Sequence, residues 1–220
     1  MTADERAKQG ERSVSIDEMT GIQALERKVK DLPMRPGNTE RREFEYIRHG
    51  TQSLIASFDL VSGQIPTASV GDSRTEIDFL LHIQATIAQV PKATKWHLVM
   101  DCLNTHQSES LVRFVAQTEG ISDEALGIKG KSGILKSMQS RAAFLSDPTH
   151  WIVFHFTPKH CSWLNQIEIW FSILVRKLLR RASFTSTTDL KTRILEFIAY
   201  FNRTMAKPFQ WTYKGKALTA

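Results

Sequence analysis

Only two cysteines, Cys102 and Cys161, occur in 220 residues. They form no CxxC pair and cannot make a disulfide framework. No apolar run approaches the roughly eighteen residues that span a bilayer. The opening Met1-Thr2-Ala3-Asp4-Glu5-Arg6 is polar and has no apolar signal region. Internal repeats and low-complexity tracts are lacking too. These absences argue against a secreted, disulfide-stapled or membrane-spanning protein, and the expectation is a reduced, cytoplasmic one. Acidic residues are scarce in one stretch alone. Residues 151–220 hold 3 Asp+Glu against 11 Lys+Arg, whereas residues 1–150 hold 20 against 18. That basic excess, densest at Arg176-Lys177 and Arg180-Arg181, suggests a polyanionic partner, of which phosphate backbones are the commonest. A solvated helix face is the alternative.

The chain is otherwise ordinary for a globular protein, with 41% hydrophobic and 24% charged residues. Its length favours one domain, preceded by a frayed polar lead over residues 1–11. Ser13 to Asp17 alternates polar and apolar residues as a half-buried strand does. Pro33, Pro36 and Gly37 mark a loop. Phe44 to His49 and Ser53 to Leu60 read as two strands joined around Gly50, with a turn at Ser62-Gly63. Thr75 to Gln89 and Ser108 to Gln117 read as helices, and Trp96 to Met100 as a buried strand. Residues 120–147 read as an inserted segment. A strand over Trp151 to Phe156 is followed by helices over Trp163 to Arg181 and Ser186 to Phe201. Strands come first and then alternate with helices, which predicts a mixed α/β sheet covered by helices.

Three acids stand out by position. Asp17 follows apolar Ile16 in the first strand. Asp101 ends the most hydrophobic strand, where a carboxylate needs compensation. Glu168 lies between Ile167 and Ile169 near a helix start. Brought together, such carboxylates repel one another until protons or cations intervene. Hard divalent cations suit all-oxygen sites, and a pair of them about 3.5–4 Å apart serves phosphodiester chemistry. On spacing alone, strand-end caps and an exposed Glu168 explain the same residues.

The segment Thr157-Pro158-Lys159-His160-Cys161-Ser162-Trp163-Leu164-Asn165-Gln166-Ile167-Glu168-Ile169-Trp170-Phe171 resembles the signature around the third acid of bacterial insertion-sequence transposases. The closest group is the insertion-sequence six-thirty family of the mariner-like superfamily. Asp101-Cys102-Leu103-Asn104-Thr105-His106 is similar to its second-acid motif, and Ser15-Ile16-Asp17-Glu18 to its first. Arg181 to Ser186 and Tyr200 to Phe209 match the same group, so the likeness runs from about residue 13 to the C-terminus. What it implies is an RNase H-like DDE catalytic domain over residues 12–220, with an insertion at about 120–147 between the second and third acids. Asp17, Asp101 and Glu168 would then be catalytic and hold two Mg2+ ions, with Mn2+ as a substitute. The implied activity is cleavage of DNA at transposon ends followed by strand transfer. The implied partners are end and target DNA and a second copy of the chain in the DNA complex, at the bacterial nucleoid. The helix-turn-helix modules that precede such a domain are expected to be absent, since only sixteen residues stand before Asp17. The chain departs from the family pattern at Cys102, where Asn is usual, and in the 66 residues between Asp101 and Glu168.

Asn104, His106, Lys159 and His160 are expected on the rim of this site against DNA phosphate, with Arg176, Lys177, Arg180 and Arg181 tracking the backbone further out. Glu18 should point away from Asp17, as a supporting or surface acid. Asp59 is a rival first ligand but reads better as a turn former. His106, His155, His160, Cys102 and Cys161 match no compact zinc spacing. Gly130-Lys131-Ser132 lacks the first glycine of a phosphate loop. The rival functions are a stand-alone RNase H-like nuclease and an inactive DNA-binding remnant.

Overall fold

The computed structural model describes residues 1–29, 32–41 and 43–210; residues 211–220 of the expected 12–220 domain lie outside it. The lead is not frayed. It forms helix α1 (Ala3–Lys8), started by a capping box in which Thr2 and Glu5 bond each other's backbone N–H groups. Three antiparallel strands follow: β1 (Arg12–Arg27), β2 (Tyr46–Asp59) and β3 (Thr67–Gly71). Helix α2 (Glu76–Ala88) then crosses to β4 (Trp96–Met100). Helices α3 (Glu109–Thr118), α4 (Asp123–Leu126) and α5 (Met138–Leu145) lead to β5 (Ile152–Phe156). Helices α6 (Ile167–Leu174) and α7 (Thr187–Thr204) close the described chain. Among the described residues no helix is long and apolar enough to cross a membrane.

The sheet order is β3-β2-β1-β4-β5, with β4 parallel to both β1 and β5. A meander followed by parallel crossovers is the RNase H-like arrangement. Two apolar cores result. Val14, Ile16, Leu98, Met100 and Phe154 face α2, α3 and α5 on one side. Leu54, Ala56, Phe58 and Ala24 face α6 and α7 on the other.

The strand expected over 13–17 runs to Arg27, and the two strands read over 44–60 are one strand, β2. Their shared irregularity explains the misreading. The β1–β2 register shifts between Met19 and Ile22, where Gly21 has φ 65°. Asp17 and Met19 face α6 before the shift, and Ile22 and Ala24 do so after it. A bulge thus exchanges odd for even positions and breaks the alternation a strand is recognised by. The turn reading of Asp59 holds: its Oδ1 accepts the N–H groups of Val61 and Ser62 at 2.8 Å each. In the segment at 120–147, Leu126, Leu135 and Leu145 are fully buried. The buried Arg141 ties it to the sheet connection by donating Nε–H to the Gln107 carbonyl at 2.6 Å.

Helix α2 is clamped to the meander by His82. Its ring is 1% exposed, with Nε2 2.9 Å from Ser57 Oγ and Nδ1 2.9 Å from Ser69 Oγ. Burial pulls its pKa down from 6.5 to about 3. Between those values the unfolded chain takes up a proton that the folded chain refuses. Stability therefore falls as pH drops below 6.5, by at most about 1.4 kcal/mol per unit from this residue. Urea unfolding at pH 7.5 and pH 5 should show a smaller pH loss for His82→Gln than for the wild type. Equal losses would remove His82 from that role.

Candidate active site

Strand register assembles the first two acids. Ser15 pairs with Val99 across the parallel β1–β4 contact, so two residues further on Asp17 and Asp101 come level on adjacent strands and on one face. Asp17 is buried, 6% exposed. Its Oδ1 accepts the Glu18 N–H at 2.8 Å, and its Oδ2 accepts Asn165 Nδ2–H at 3.1 Å. Asp101 caps the turn after β4 by accepting the Leu103 N–H at 3.0 Å.

Helix α6 is docked against β1 by a small buried network. Asn165 donates to the Ile16 carbonyl at 2.9 Å and accepts the Ser15 hydroxyl. Ser15 Oγ in turn accepts the Ile167 N–H at 2.9 Å. These bonds satisfy one of the orphan amides at a helix start and fix where Glu168, in the first turn, stands relative to Asp17. Sequence reasoning passed over Asn165 and Ser15, which dock this helix; an amide three residues before an acid at a helix start was the available signal.

The electrostatics show how closely the acids sit. Burial raises the Asp17 pKa to about 7, and Asp101 and Glu168 add to the rise. Burial and Asp101 likewise push Glu168 up. Asp101 is held below its usual value by its hydrogen bond to His106. Ligand atoms of Asp17, Asp101 and His106 lie within 4.8 Å of one another, the set among the described residues that is able to hold a metal ion. Glu168 stands outside that tight set but within electrostatic reach of both aspartates. A buried carboxylate that resists ionisation beside two others gains from a cation, and oxygen donors of this kind fit magnesium or manganese.

Of the expected rim residues, Lys159 and His160 are exposed and line a cleft of about 380 Å³ together with Asp101, Cys102 and Ser162. His160 has φ 62°, the one left-handed non-glycine residue among those described. Asn104 is exposed beyond Asp101. His106 is not on the rim. Its ring is 0% exposed, Nδ1 lies 2.7 Å from Asp101 Oδ1, and Nε2 lies 3.2 Å from Glu18 Oε2. Burial works against its charge, but the bonds to Asp101 and Glu18 outweigh that and lift its pKa to about 9. The expected phosphate contact is therefore sterically closed to it. Glu18 is no surface acid either, its side chain being 1% exposed. Cys102, in the place where Asn was expected, donates its thiol to the Thr157 carbonyl at 3.1 Å and so ties the ends of β4 and β5.

Arg176, Lys177, Arg180 and Arg181 are all exposed, some distance from the acids. The regular helix expected over 163–181 begins only at Ile167 and passes into a π-helical turn at Val175–Leu179. The basic residues sit on and just after that turn.

A family profile described as DDE superfamily endonuclease matches residues 12–191. No curated protein matches the chain. Similar solved structures include the Mos1 mariner paired-end complex with Mn, at 12% identity and TM-score 0.35, covering 90% of this chain and 57% of that one. The Mos1 transposase paired-end complex with left transposon end is similar at 12% identity and TM-score 0.32, covering 87% and 53%. The Mos1 strand transfer complex is similar at 11% identity and TM-score 0.32, covering 94% and 59%. The chain thus spans somewhat over half the length of these solved chains.

The Asn165 network makes a direct prediction. Asn165→Ala leaves buried partners unpaired and should lower stability by about 1–3 kcal/mol. Asn165→Asp places a further carboxylate against Asp17 and should cost more at pH 8 than at pH 5. Urea titrations decide this. A cost for the alanine variant within about 0.5 kcal/mol, the usual range of surface changes, would show that the network does not hold α6.

Proposed function

The chain belongs to the DDE superfamily endonucleases, and from that premise we propose that it is the catalytic domain of a DNA transposase, which cuts DNA at element ends and joins the freed 3′ hydroxyl to a target strand. The observation that carries this reading is the convergence of Asp17, Asp101 and Glu168 at one end of the parallel strand pair. The likeness of their flanking segments to the insertion-sequence six-thirty family supports the transposase assignment over a plain nuclease. Residues 12–220 form the catalytic domain on this reading, and two copies act together on DNA.

Asp17, Asp101 and Glu168 would hold the divalent cations, Mg2+ or Mn2+. When bound, these activate the attacking water or hydroxyl and stabilise the leaving oxygen. The protein's own part is placement. Asn165 and the Glu18 amide hold the Asp17 carboxylate by both oxygens. The Ser15–Asn165–Ile167 links set the helix that bears Glu168. Lys159 and His160 share a cleft with Asp101, and on this reading they would bind a phosphate beside the acids. Exposed Asn104, three residues after Asp101, would join them. Phosphoryl transfer needs mainly such positioning and charge compensation.

Supercoiled plasmid and Mg2+ test the acids. Asp17→Asn, Asp101→Asn and Glu168→Gln should each abolish nicking while the circular dichroism of the fold is kept. A Glu168→Gln protein that nicks at the wild-type rate overturns the assignment. Joining of a pre-cut end to plasmid tests the transposase reading separately from cleavage.

The proposed path for the DNA backbone runs over Arg176, Lys177, Arg180 and Arg181. Each neutralised phosphate releases counterions and contributes about −0.9 to the slope of log affinity against log salt. Replacing the four by glutamine should flatten that slope for duplex DNA in a fluorescence anisotropy titration. An unchanged slope would return these residues to the role of a solvated helix face.

A further inference from the structure

Glu18 adjoins Asp17 on β1, and its carboxylate is enclosed, 1% exposed. One oxygen meets His106 Nε2 at 3.2 Å. The other, Oε1, is buried with no hydrogen-bond partner. A buried pair whose carboxylate is satisfied at one oxygen is a poor stabiliser, and apolar side chains in place of both Glu18 and His106 would serve the fold as well or better. His106 carries the contact onward. Its ring packs on Phe79 of α2, with centroids 4.4 Å apart, and its Nδ1 lies 2.7 Å from Asp101 Oδ1. Each ring nitrogen thus faces a carboxylate, Glu18 on one side and Asp101 on the other. Both nitrogens are engaged by these acids, although the ring falls within the ion-sized cluster formed with Asp17 and Asp101.

We infer that Glu18 and His106 are positioning residues, a buried Glu18–His106–Asp101 clamp that orients the Asp101 carboxylate for the divalent cation without either residue binding it. The inference rests on the proposed role of Asp101 as a metal-binding carboxylate. The geometry explains the clamp's parts. Asp101 stands just past the end of β4, where the strand ladder no longer fixes it, and its side chain is 26% exposed. Left alone, a partly exposed aspartate would sample several rotamers. His106, held by Phe79 behind and Glu18 opposite, restricts it to one. Because Glu18 is bonded through its own backbone N–H to Asp17, β1 sets both aspartates from adjacent residues. Groups that orient metal-binding carboxylates typically change metal affinity by 10–100-fold when removed.

The test uses Mn2+ alone, titrated onto the full chain and followed by calorimetry, so that the readout does not depend on DNA cleavage. The amide nitrogen of Asn can replace His Nδ1, and that of Gln can replace Nε2. His106→Asn therefore keeps the bond to Asp101 and should bind Mn2+ close to wild type. His106→Gln keeps only the Glu18 contact and should lose about tenfold or more in affinity. The double variant Glu18→Met/His106→Leu, which removes the buried pair whole, should keep or raise the urea midpoint yet weaken Mn2+ binding, whereas Glu18→Gln, which can still bond Nε2, should bind Mn2+ close to wild type. A residue that merely stabilised the fold would move stability and affinity together. The inference is overturned if folded His106→Gln and Glu18→Met/His106→Leu proteins bind Mn2+ like the wild type. It is equally overturned if the Mn2+-loaded wild type shows a directly coordinated nitrogen in its electron spin echo spectrum. Plasmid cleavage, measured in parallel, keeps the two readings apart. A wild type that binds Mn2+ with these variant effects but leaves DNA intact would sink the transposase reading and leave the clamp standing.

Discussion

Mutual repulsion of carboxylates is the constraint around which this structure is arranged. Asp17, Asp101, Glu168 and Glu18 gather near one end of the parallel strand pair, and burial disfavours charge on Asp17 and Glu168. Three of them are met by partners: a backbone amide and Asn165 for Asp17, and His106 for both Asp101 and Glu18. Burial, with smaller additions from Asp101 and Glu168, lifts the Asp17 pKa to about 7. An aspartate so raised marks where positive charge would be welcomed, and perturbed groups of this kind concentrate at functional sites. The fold gives up stability to keep them together.

Strand β1 carries most of that arrangement. Ser15 and Asp17 share the face that meets α6, while Glu18 turns to the opposite side and reaches His106. Three nearby residues on one strand thus address the helix bearing the third acid, the acidic centre itself, and the support behind Asp101. The bulge at Met19–Ile22 then lets β1 continue with Ile22 and Ala24 on the core face, so that acid centre and hairpin share one strand. Parallel pairing supplies the rest, because register with β4 sets Asp101 level with Asp17 without any turn between them.

The strands-first, then alternating order and the elements that carry the acids were legible because they rest on local signals, an apolar strand ending in Asp101 and an apolar stripe after Glu168, whereas β3 was not read. The extent of β1 was hidden, since a one-residue bulge inverts the alternation that marks a strand. The burial of His106 was hidden for another reason. A histidine five residues after an acid looks the same whether its ring enters the core or the cleft, and only the approach of Phe79 from α2 decides. The Ser15–Asn165 link joins residues 150 positions apart, a pairing no local pattern encodes. Glu18 was assigned to the correct face, but that face is covered by the turn containing His106, and the alternation of a strand says nothing about what lies above it.

Helix α6 and the π-helical turn after it show why charge alone could not separate a DNA track from a solvated surface. Glu168 lies in the first helical turn, where the helix dipole favours an anion. Arg176, Lys177, Arg180 and Arg181 lie at its far end, where the dipole favours cations. The same polarity that suits the proposed function also suits the helix, so the basic cluster needs no functional reason to exist. At about 1.5 Å per residue, Arg180 stands roughly 18 Å along the axis from Glu168. That separation matches about five nucleotides of a strand at 3.4 Å each. A backbone held at the basic end would thus reach the acids within half a turn of duplex, a distance that a helix rigidly docked through Asn165 and Trp170 can keep constant.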